Sequence, residues 1–388
     1  MSAVWHLHYQ VIIFFLIILQ IIAILNIFWM RRFDQFPRTE YLPYVSILVP
    51  ARNEEENIEI CIRSMLAQDY PQFEVIVLDD YSSDNTLHLL RKMARADSRL
   101  SVISGLPMPI DWFGKHWACH QLYQKAKGQL LLFTDADTYH SPSTLRDSVA
   151  SLMAENADLV SAFPMQKVIT WGEKLIVPVI SWGIFSILPI PLAHRLQVPG
   201  ISITIGQFML FKRQAFEAIG GYEAIKMELV DDVALGRNII LNGLQWRFLD
   251  GTHHIQCHMY KGFMDVIEGF TKNIFAIFDY RVLPYLIVWT WVGIVFLEPL
   301  LSVAFRWMGL GWLTNFPSNL ALIAILQSLV LWFSIYKRFR FAAYLSLLYP
   351  LSISIFIFTA FRSMFYTLTG QVTWKERKLA KEPIRWIW

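Results

Sequence analysis

Carboxylates gather in this chain at three places where a short apolar run gives way to polar residues. Pro50-Ala51-Arg52-Asn53-Glu54 follows Val45–Val49, Asp79-Asp80 follows Phe73–Leu78, and Thr134-Asp135-Ala136-Asp137 follows Leu130–Phe133. Asp135 and Asp137, separated by one small residue, can address a single hard cation. Magnesium-type ions take one or two protein carboxylates and complete their shell with substrate phosphates and water. Such a pair suits the holding of a diphosphate; a solvated acidic turn is the plainer alternative. A further pair, Asp231-Asp232, precedes the helix-patterned run Val233–Leu241, where a carboxylate can serve as a helix cap. Lys115, just before another such run, reads as an exposed lysine at a helix start.

The elements that must carry these residues alternate. Val45–Val49, stopped by Pro50, reads as a buried parallel strand. Asn53 to Ala67 carries Ile58, Ile62, Met65 and Leu66 at helical spacing. Phe73–Leu78 is a second strand, and Ser83 to Ala96 a second helix with Ser83 or Asp84 as its cap. Leu100–Ile103, a helix from Trp117 to Ala126, and Leu130–Phe133 continue the pattern. This alternation predicts an α/β fold with a doubly wound parallel sheet, whose ligands bind beyond the carboxyl ends of the strands. A lone carboxylate at a strand end is often a cap, but several converging on one edge are hard to explain that way. No GxGxxG follows the first strand and no GxxxxGK[ST] occurs, which disfavours a dinucleotide-binding Rossmann fold and a Walker ATPase.

Composition adds a second solvent. Of 388 residues, 55% are hydrophobic and only 17% charged, against roughly 25% charged in ordinary globular chains. The balance of 34 Lys and Arg against 31 Asp and Glu, +3 overall, is too weak for a nucleic-acid partner. Cys61, Cys119 and Cys257 are too few and too scattered for a disulfide framework, and reduced thiols in a cytoplasmic compartment are the simplest reading. Tyr9 to Met30 holds no charged side chain and ends in Arg31-Arg32, which reads as a retained spanning helix rather than a signal peptide. By the positive-inside rule Arg31, Arg32 and Arg38 place the chain beyond that helix in the cytoplasm. Val282–Phe305, Leu320–Tyr336 and Phe341–Phe361 are further spanning candidates, the first interrupted by Glu298-Pro299, where a kink and a functional carboxyl are both open. Leu175–Leu192 contains Pro178, Pro189 and Pro191 and is expected to lie in the interface. Trp182 and Phe185 would then face the headgroup boundary. The basic tail, with Lys375, Arg377, Lys378, Lys381 and Arg385, wants the cytoplasmic side. One anchor plus three spans would put it outside, so one C-terminal segment is expected to be re-entrant or interfacial. The expected organisation is an anchor over 1–38, an α/β domain over 39–280, a membrane region over 281–362 and a basic tail over 363–388, in a multi-pass cell-membrane protein with its α/β domain in the cytoplasm.

Taken in order, Val49-Pro-Ala-Arg-Asn-Glu-Glu55, Leu78-Asp-Asp-Tyr-Ser-Ser-Asp-Asn-Thr86 and Thr134-Asp-Ala-Asp137 resemble the nucleotide-sugar domain of family 2 inverting glycosyltransferases. Gly220-Gly-Tyr222 and Glu228-Leu-Val-Asp-Asp232 fit the same family, and the resemblance covers about Tyr44 to Asn273. Trp112-Phe-Gly-Lys115, Gly206, Gly269-Phe-Thr-Lys-Asn273 and Thr373-Trp-Lys375 look most like its membrane-anchored branch, associated with hopanoids and carotenoids. The resemblance implies a GT-A-type domain in which the Pro50–Glu54 loop, including Ala51 and Arg52, and Asp80 hold the nucleobase. It sets Asp79 and Asp135 near base and ribose, Asp137 on a divalent cation (Mg2+ or Mn2+), and Asp232 as general base. Asp231 stands where the family usually has Glu, Lys115 would help neutralise the departing nucleoside diphosphate, and Lys272 would touch substrate, though it also reads as a membrane-surface lysine. Residues alone do not decide between Asp231 and Asp232 as the base. The implied donor is a nucleotide sugar, with UDP-glucose as default, and the implied acceptor is a membrane lipid hydroxyl such as that of a carotenoid or hopanoid.

The departures are informative. The Gln/Arg-x-x-Arg-Trp element of processive synthases and ceramide relatives does not occur after Asp232, which weighs against a processive polysaccharide synthase and removes any basis for choosing ceramide. A non-catalytic membrane binding protein is a third reading, and the intact Asp135, Asp137 and Asp232 speak against it. Thr252–His258 offers His253, His254, Cys257 and His258 as zinc donors, but no second cluster accompanies them and their alternation suits a strand.

Overall fold

The computed structural model describes residues 2–309, 317–371, 373–374, 377–378 and 384–387. The chain divides into two compact units, one of Met1–Trp29, Val168–Pro189 and Tyr260–Trp388, the other of Met30–Lys167 and Ile190–Met259.

In the second unit the strands are β1 (Val45–Ala51), β2 (Phe73–Asp79), β3 (Leu100–Ser104), β4 (Leu130–Phe133), β5 (Thr138–His140), β6 (Leu159–Phe163), β7 (Met165–Gln166), β8 (Met209–Lys212), β9 (Trp246–Asp250) and β10 (Ile255–Cys257). Seven of them form one sheet in the order β3-β2-β1-β4-β8-β6-β9. The strands expected from the sequence are there, and β3, β2, β1 and β4 all pair in parallel. Strand β8 runs antiparallel to both β4 and β6, so the complete sheet is mixed. Val45, Ile47, Leu48 and Val49 are fully buried, as continuous apolar strands covered on both faces must be. Strand β1 does not stop at Pro50: Pro50 pairs with Leu78 and Ala51 with Asp79. Pairing of β1 with β4 ends at Leu48, so the proline falls where one edge of the strand is already unpaired and its missing N–H costs little.

Chain order puts β2 and β3 on one side of β1 and β4 on the other. The crevice between β1 and β4 is therefore a topological switch point, where loops diverge and ligands enter. A second small sheet, β5-β10-β7, lies just beyond the β4 loop in sequence and includes the Thr252–His258 stretch as the strand its alternation suggested.

One glycine fixes how closely β1 and the β4 entry approach. A Cβ on Gly128 would stand 2.4 Å from the Ser46 nitrogen and 2.5 Å from the Leu130 oxygen, while its own N–H donates to Ser46 Oγ at 2.8 Å. These neighbours are backbone and cannot swing aside. Gly128→Ala is expected to cost at least the roughly 1–3 kcal/mol of ordinary overpacking, read as a lowered melting midpoint of the detergent-solubilised protein; an unchanged midpoint would contradict this packing.

The first unit is a bundle of apolar helices. Among the described residues, three are long and apolar enough to cross a membrane: Ala3–Trp29, Ser318–Arg338 and Ala343–Thr369. The helices Val282–Phe296 and Glu298–Trp307 are instead bent by 42° at their junction. Pro299 begins the second helix, and the Glu298 carboxylate accepts from Tyr9 Oη at 2.9 Å, lies 3.3 Å from His8 Nε2 and is met by Ser302 Oγ. The kink and the partnered carboxyl are thus one feature. Asn26 is fully buried and donates to the carbonyls of Phe185 and Leu188 at 2.8 and 2.7 Å. It thereby satisfies acceptors left at the end of the helix Pro178–Ile187.

The prolines of Leu175–Leu192 mark helix boundaries, with Pro178 opening one helix and Pro189 preceding Ile190–Leu196. The expectation that Trp182 and Phe185 face the headgroup boundary is wrong. Trp182 is 3% exposed and stacks on Trp332, with ring centroids 5.0 Å apart, and Phe185 is 1% exposed against Phe339 at 4.4 Å. Apolar partners on neighbouring helices outcompete the interface for both rings. Of the basic tail, Lys375 and Lys381 lie outside the described residues.

Candidate active site

The loop after β1 and the loop after β2 lock together through backbone. Asp80 N donates to Ala51 O at 2.8 Å, and Arg52 Nη1 donates to Asp80 O at 2.9 Å with the Asp80 carboxylate 3.9 Å away. Asn53 adopts φ +53° and Tyr81 φ +57°. The first is tolerable for asparagine, whereas a left-handed tyrosine is the kind of strained position that clusters at ligand sites. Asn53 donates its N–H to Ser82 Oγ at 3.0 Å and accepts from Ser83 N at 2.8 Å. Glu54 N donates to Thr86 Oγ1, and Asp84 Oδ1 accepts from Thr86 N at 3.0 Å. Asp84, rather than Ser83, therefore tends the start of the helix Thr86–Ala94. Asp79 is 3% exposed, and its Oδ1 is buried with no hydrogen-bond partner. A buried acceptor left unmet beside such a loop suits a donor carried by a ligand.

Lys115 enters from the first turn of the helix Gly114–Lys125. Its Nζ lies 2.8 Å from Asp135 Oδ1 and 3.6 Å from Asp231 Oδ2. Burial alone would depress the ammonium, but the Asp135 and Asp231 carboxylates outweigh it and hold its pKa well above the ordinary lysine value. Asp231 and Asp232 both lie in the first turn of the helix Asp231–Leu241, two residues earlier than the sequence suggested, where a helix N-terminus favours negative charge. Asp232 Oδ2 accepts from Gly206 N at 2.9 Å and Oδ1 from Val233 N at 2.8 Å. Even so, desolvation and the adjoining Asp231 push its carboxyl up to about 7, with Lys115 pulling the other way.

Gly206 is the hub of this arrangement. A Cβ there would stand 3.2 Å from Lys115 Nζ, 3.6 Å from Asp232 Oδ2 and 3.8 Å from Asp135 Oδ2. Groups from three separate elements thus meet around this one residue, with only the Lys115 ammonium close enough to have to give if a Cβ were added.

Asp137 lies on the other side of Ala136. Its Oδ1 is buried with no hydrogen-bond partner. Burial first, then the Asp135 and Glu54 carboxylates, raise its pKa far above the carboxylate range. Among the described residues, no group of three or more His, Cys, Asp or Glu is placed to hold a metal ion. The chain's own contribution is thus a crowded carboxylate with an unmet oxygen, which fits a hard cation that completes its shell with phosphate and water. Two thiols near this carboxylate were not expected at the site. Cys257 is fully buried with its thiol pKa raised by desolvation and by Asp137, and the Cys61 thiol is pushed up to about 12, chiefly by burial.

The structure therefore brings Pro50, Ala51, Arg52, Glu54, Asp79, Asp80, Lys115, Asp135, Asp137, Asp231 and Asp232 into one unit at one end of one sheet. Lys272 belongs to the other unit, in the last turn of the helix Phe263–Asn273. His254 is hydrogen-bonded to Asp147 at 3.1 Å, which occupies it structurally.

Residues 46–220 match the family model described as Glycosyl transferase family 2. The chain is 24% identical over 254 residues to 4,4'-diaponeurosporenoate glycosyltransferase of Staphylococcus haemolyticus, covering 63% of this chain and 65% of that one. It is 28% identical over 243 residues to beta-monoglucosyldiacylglycerol synthase of Trichormus variabilis, covering 60% of this chain and 46% of that one. The alignments thus span less than two thirds of either relative. Among solved structures, a mannosyltransferase from Pyrobaculum calidifontis in complex with GDP-Man and Mn2+ superposes with a TM-score of 0.49 at 18% identity, covering 92% of this chain and 99% of that one.

Proposed function

We propose that this chain, in which residues 46–220 are a family 2 glycosyltransferase domain with a GT-A-like mixed α/β sheet, moves a sugar from a nucleotide donor to a hydroxyl of a membrane lipid with inversion at the anomeric carbon. The observation that carries this reading is the meeting of Lys115, Asp135 and Asp232 around Gly206. A proton acceptor and a charge-neutralising cation stand within one small space, the two groups that a single displacement needs.

Asp232 takes the proton of the acceptor hydroxyl as its oxygen bonds the anomeric carbon and the bond to the nucleoside diphosphate breaks. Lys115 offsets the charge released on the diphosphate. Asp79, Asp80 and the Pro50–Glu54 loop with Arg52 hold the nucleoside, Asp135 sits at the ribose, and Asp231 keeps Lys115 turned inward. Asp137 is the residue that would hold a divalent cation, Mg2+ or Mn2+, whose chemistry when bound is charge neutralisation at a leaving diphosphate. UDP-glucose is the default donor, and the lipid class rests on the carotenoid and glycerolipid names of the relatives together with the chain's apolar helices.

The membrane arrangement is argued from charge. Counting Ala3–Trp29, Ser318–Arg338 and Ala343–Thr369 as crossings, and the bent pair Val282–Trp307 as re-entrant, returns the basic tail to the side of the catalytic domain. That is the cytoplasmic side by the positive-inside rule for Arg31, Arg32, Arg38 and the tail, while the short connector with Lys337, Arg338 and Arg340 falls on the opposite side.

Incubating the detergent-purified protein with a panel of nucleotide sugars and total membrane lipid tests the activity. A new glycolipid made from one donor supports the reading, and turnover confined to soluble acceptors overturns the lipid assignment. Asp137→Asn is expected to leave a folded protein whose donor binding no longer responds to added Mg2+ or Mn2+, with affinity at least about tenfold weaker in titration calorimetry. Tight donor binding in chelator, unaltered by the substitution, would remove the metal role.

A further inference from the structure

We infer that the loop between β3 and the helix Gly114–Lys125 is a lipid-contacting loop, whose apex Leu106–Ile110 enters the apolar edge of the bilayer. Leu106-Pro107-Met108-Pro109-Ile110 contains no polar side chain. Leu106 is 60% exposed, Met108 42% and Ile110 completely so. Single exposed apolar residues are ordinary on any protein. An uninterrupted run of them on one loop is not, and it is costly in water unless something covers it.

The backbone indicates which phase covers it. Irregular chain enters lipid at a cost set mainly by its unmet N–H and C=O groups. Prolines at positions 107 and 109 remove two of those donors outright. The polar groups at the root are met within the protein. Leu106 N donates to Gln121 Oε1 at 2.8 Å, Leu106 O accepts from Trp117 Nε1 at 3.0 Å, and Trp112 N donates to Pro109 O at 3.3 Å. Trp112, 9% exposed, packs at this root against Trp117 with ring centroids 5.1 Å apart, which gives the apex a rigid base. The same chain supplies three helices long and apolar enough to cross a bilayer, so lipid is the apolar phase it is built to meet.

The loop is also joined to the site. Asp111 pairs with Lys226, and Phe113 N donates to Lys226 O at 3.3 Å. Its two ends therefore bear on the helix that carries Lys115 and on the segment leading to Asp231-Asp232. Given a lipid acceptor, which rests on the proposed function, this loop is where the acceptor's hydroxyl would leave the bilayer for Asp232.

The test reads depth, and it requires neither donor nor acceptor. Ile110→Cys in the full chain, labelled with an environment-sensitive fluorophore, is compared in phosphatidylcholine–phosphatidylglycerol vesicles with Arg95→Cys, an exposed position on the same unit. The native cysteines are buried and do not compete for label. Nitroxide-bearing lipid is expected to quench the label at 110 at least about threefold more than at 95, and aqueous iodide to do the reverse. Iodide quenching at 110 as strong as at 95 would overturn the inference. Protection from both quenchers would also overturn it, because the loop would then be covered by protein, for example a second copy of the chain. If the label is lipid-quenched but no glycolipid forms in any assay, the loop assignment stands and the proposed function fails on its own.

Discussion

Replacing Asp232 with asparagine is expected to lower turnover by about 10²–10⁴-fold, the usual worth of general-base assistance, with nucleotide-donor affinity little changed. Asparagine keeps the shape and can still accept from Val233 N, but it cannot take a proton. A loss in kcat without a matching loss in donor binding is therefore the signature of a group used in the displacement itself. The pH profile separates this from a packing effect. The Asp232 carboxyl, raised to about 7 by burial and by Asp231, is a base only when ionised, so the rate should climb with pH through neutrality and level off above it. Asp231→Asn removes a charge that raises that pKa, so its acid limb should move to lower pH while the plateau survives. If Asp231→Asn instead shows the collapse and Asp232→Asn remains active, the base is the other carboxylate.

Much of this was legible in the sequence because the fold repeats one rule. Each parallel strand delivers its next residues to the same edge, so apolar runs ending in Pro50–Glu54, Asp79-Asp80 and Thr134–Asp137 were bound to meet once β1, β2 and β4 were recognised as parallel neighbours. What escaped was the contact made by elements with no such rule. Strand β8 arrives antiparallel after a long helical excursion, and nothing in Ser202–Phe208 announces that Gly206 will face Lys115 and Asp232. A glycine just ahead of a strand was visible, but its place where three elements cross was not. Trp182 and Phe185 failed for a related reason, since local composition cannot tell a ring that meets headgroups from one that meets Trp332 and Phe339 on helices distant in sequence. The Glu298-Pro299 break, by contrast, was readable, because proline disrupts a helix wherever the rest of the fold lies.

Lys115 offers the sharpest separation between a structural and a chemical role. Lys115→Met keeps the length and apolar stem of the side chain while deleting the ammonium that stands between Asp135 and Asp231. Turnover is expected to fall by about 10²–10³-fold, comparable to the loss of one preorganised group that stabilises developing charge. A second effect comes from its position. The ammonium lowers the pKa of Asp232, so deleting it lets that pKa rise, protonates the base at neutral pH and moves the acid limb of the rate profile upward. Activity should thus recover partly as pH increases, because ionising Asp232 restores the base but not the cation. Lys115→Arg keeps the charge and should retain the limb near its original position, even if the bulkier guanidinium next to Gly206 slows turnover. A lysine that served only to hold the helix Gly114–Lys125 in place would give the same pH profile in all three proteins. Coincident acid limbs would therefore remove Lys115 from the chemistry, whereas an upward shift in Lys115→Met alone would place its charge beside the base during turnover.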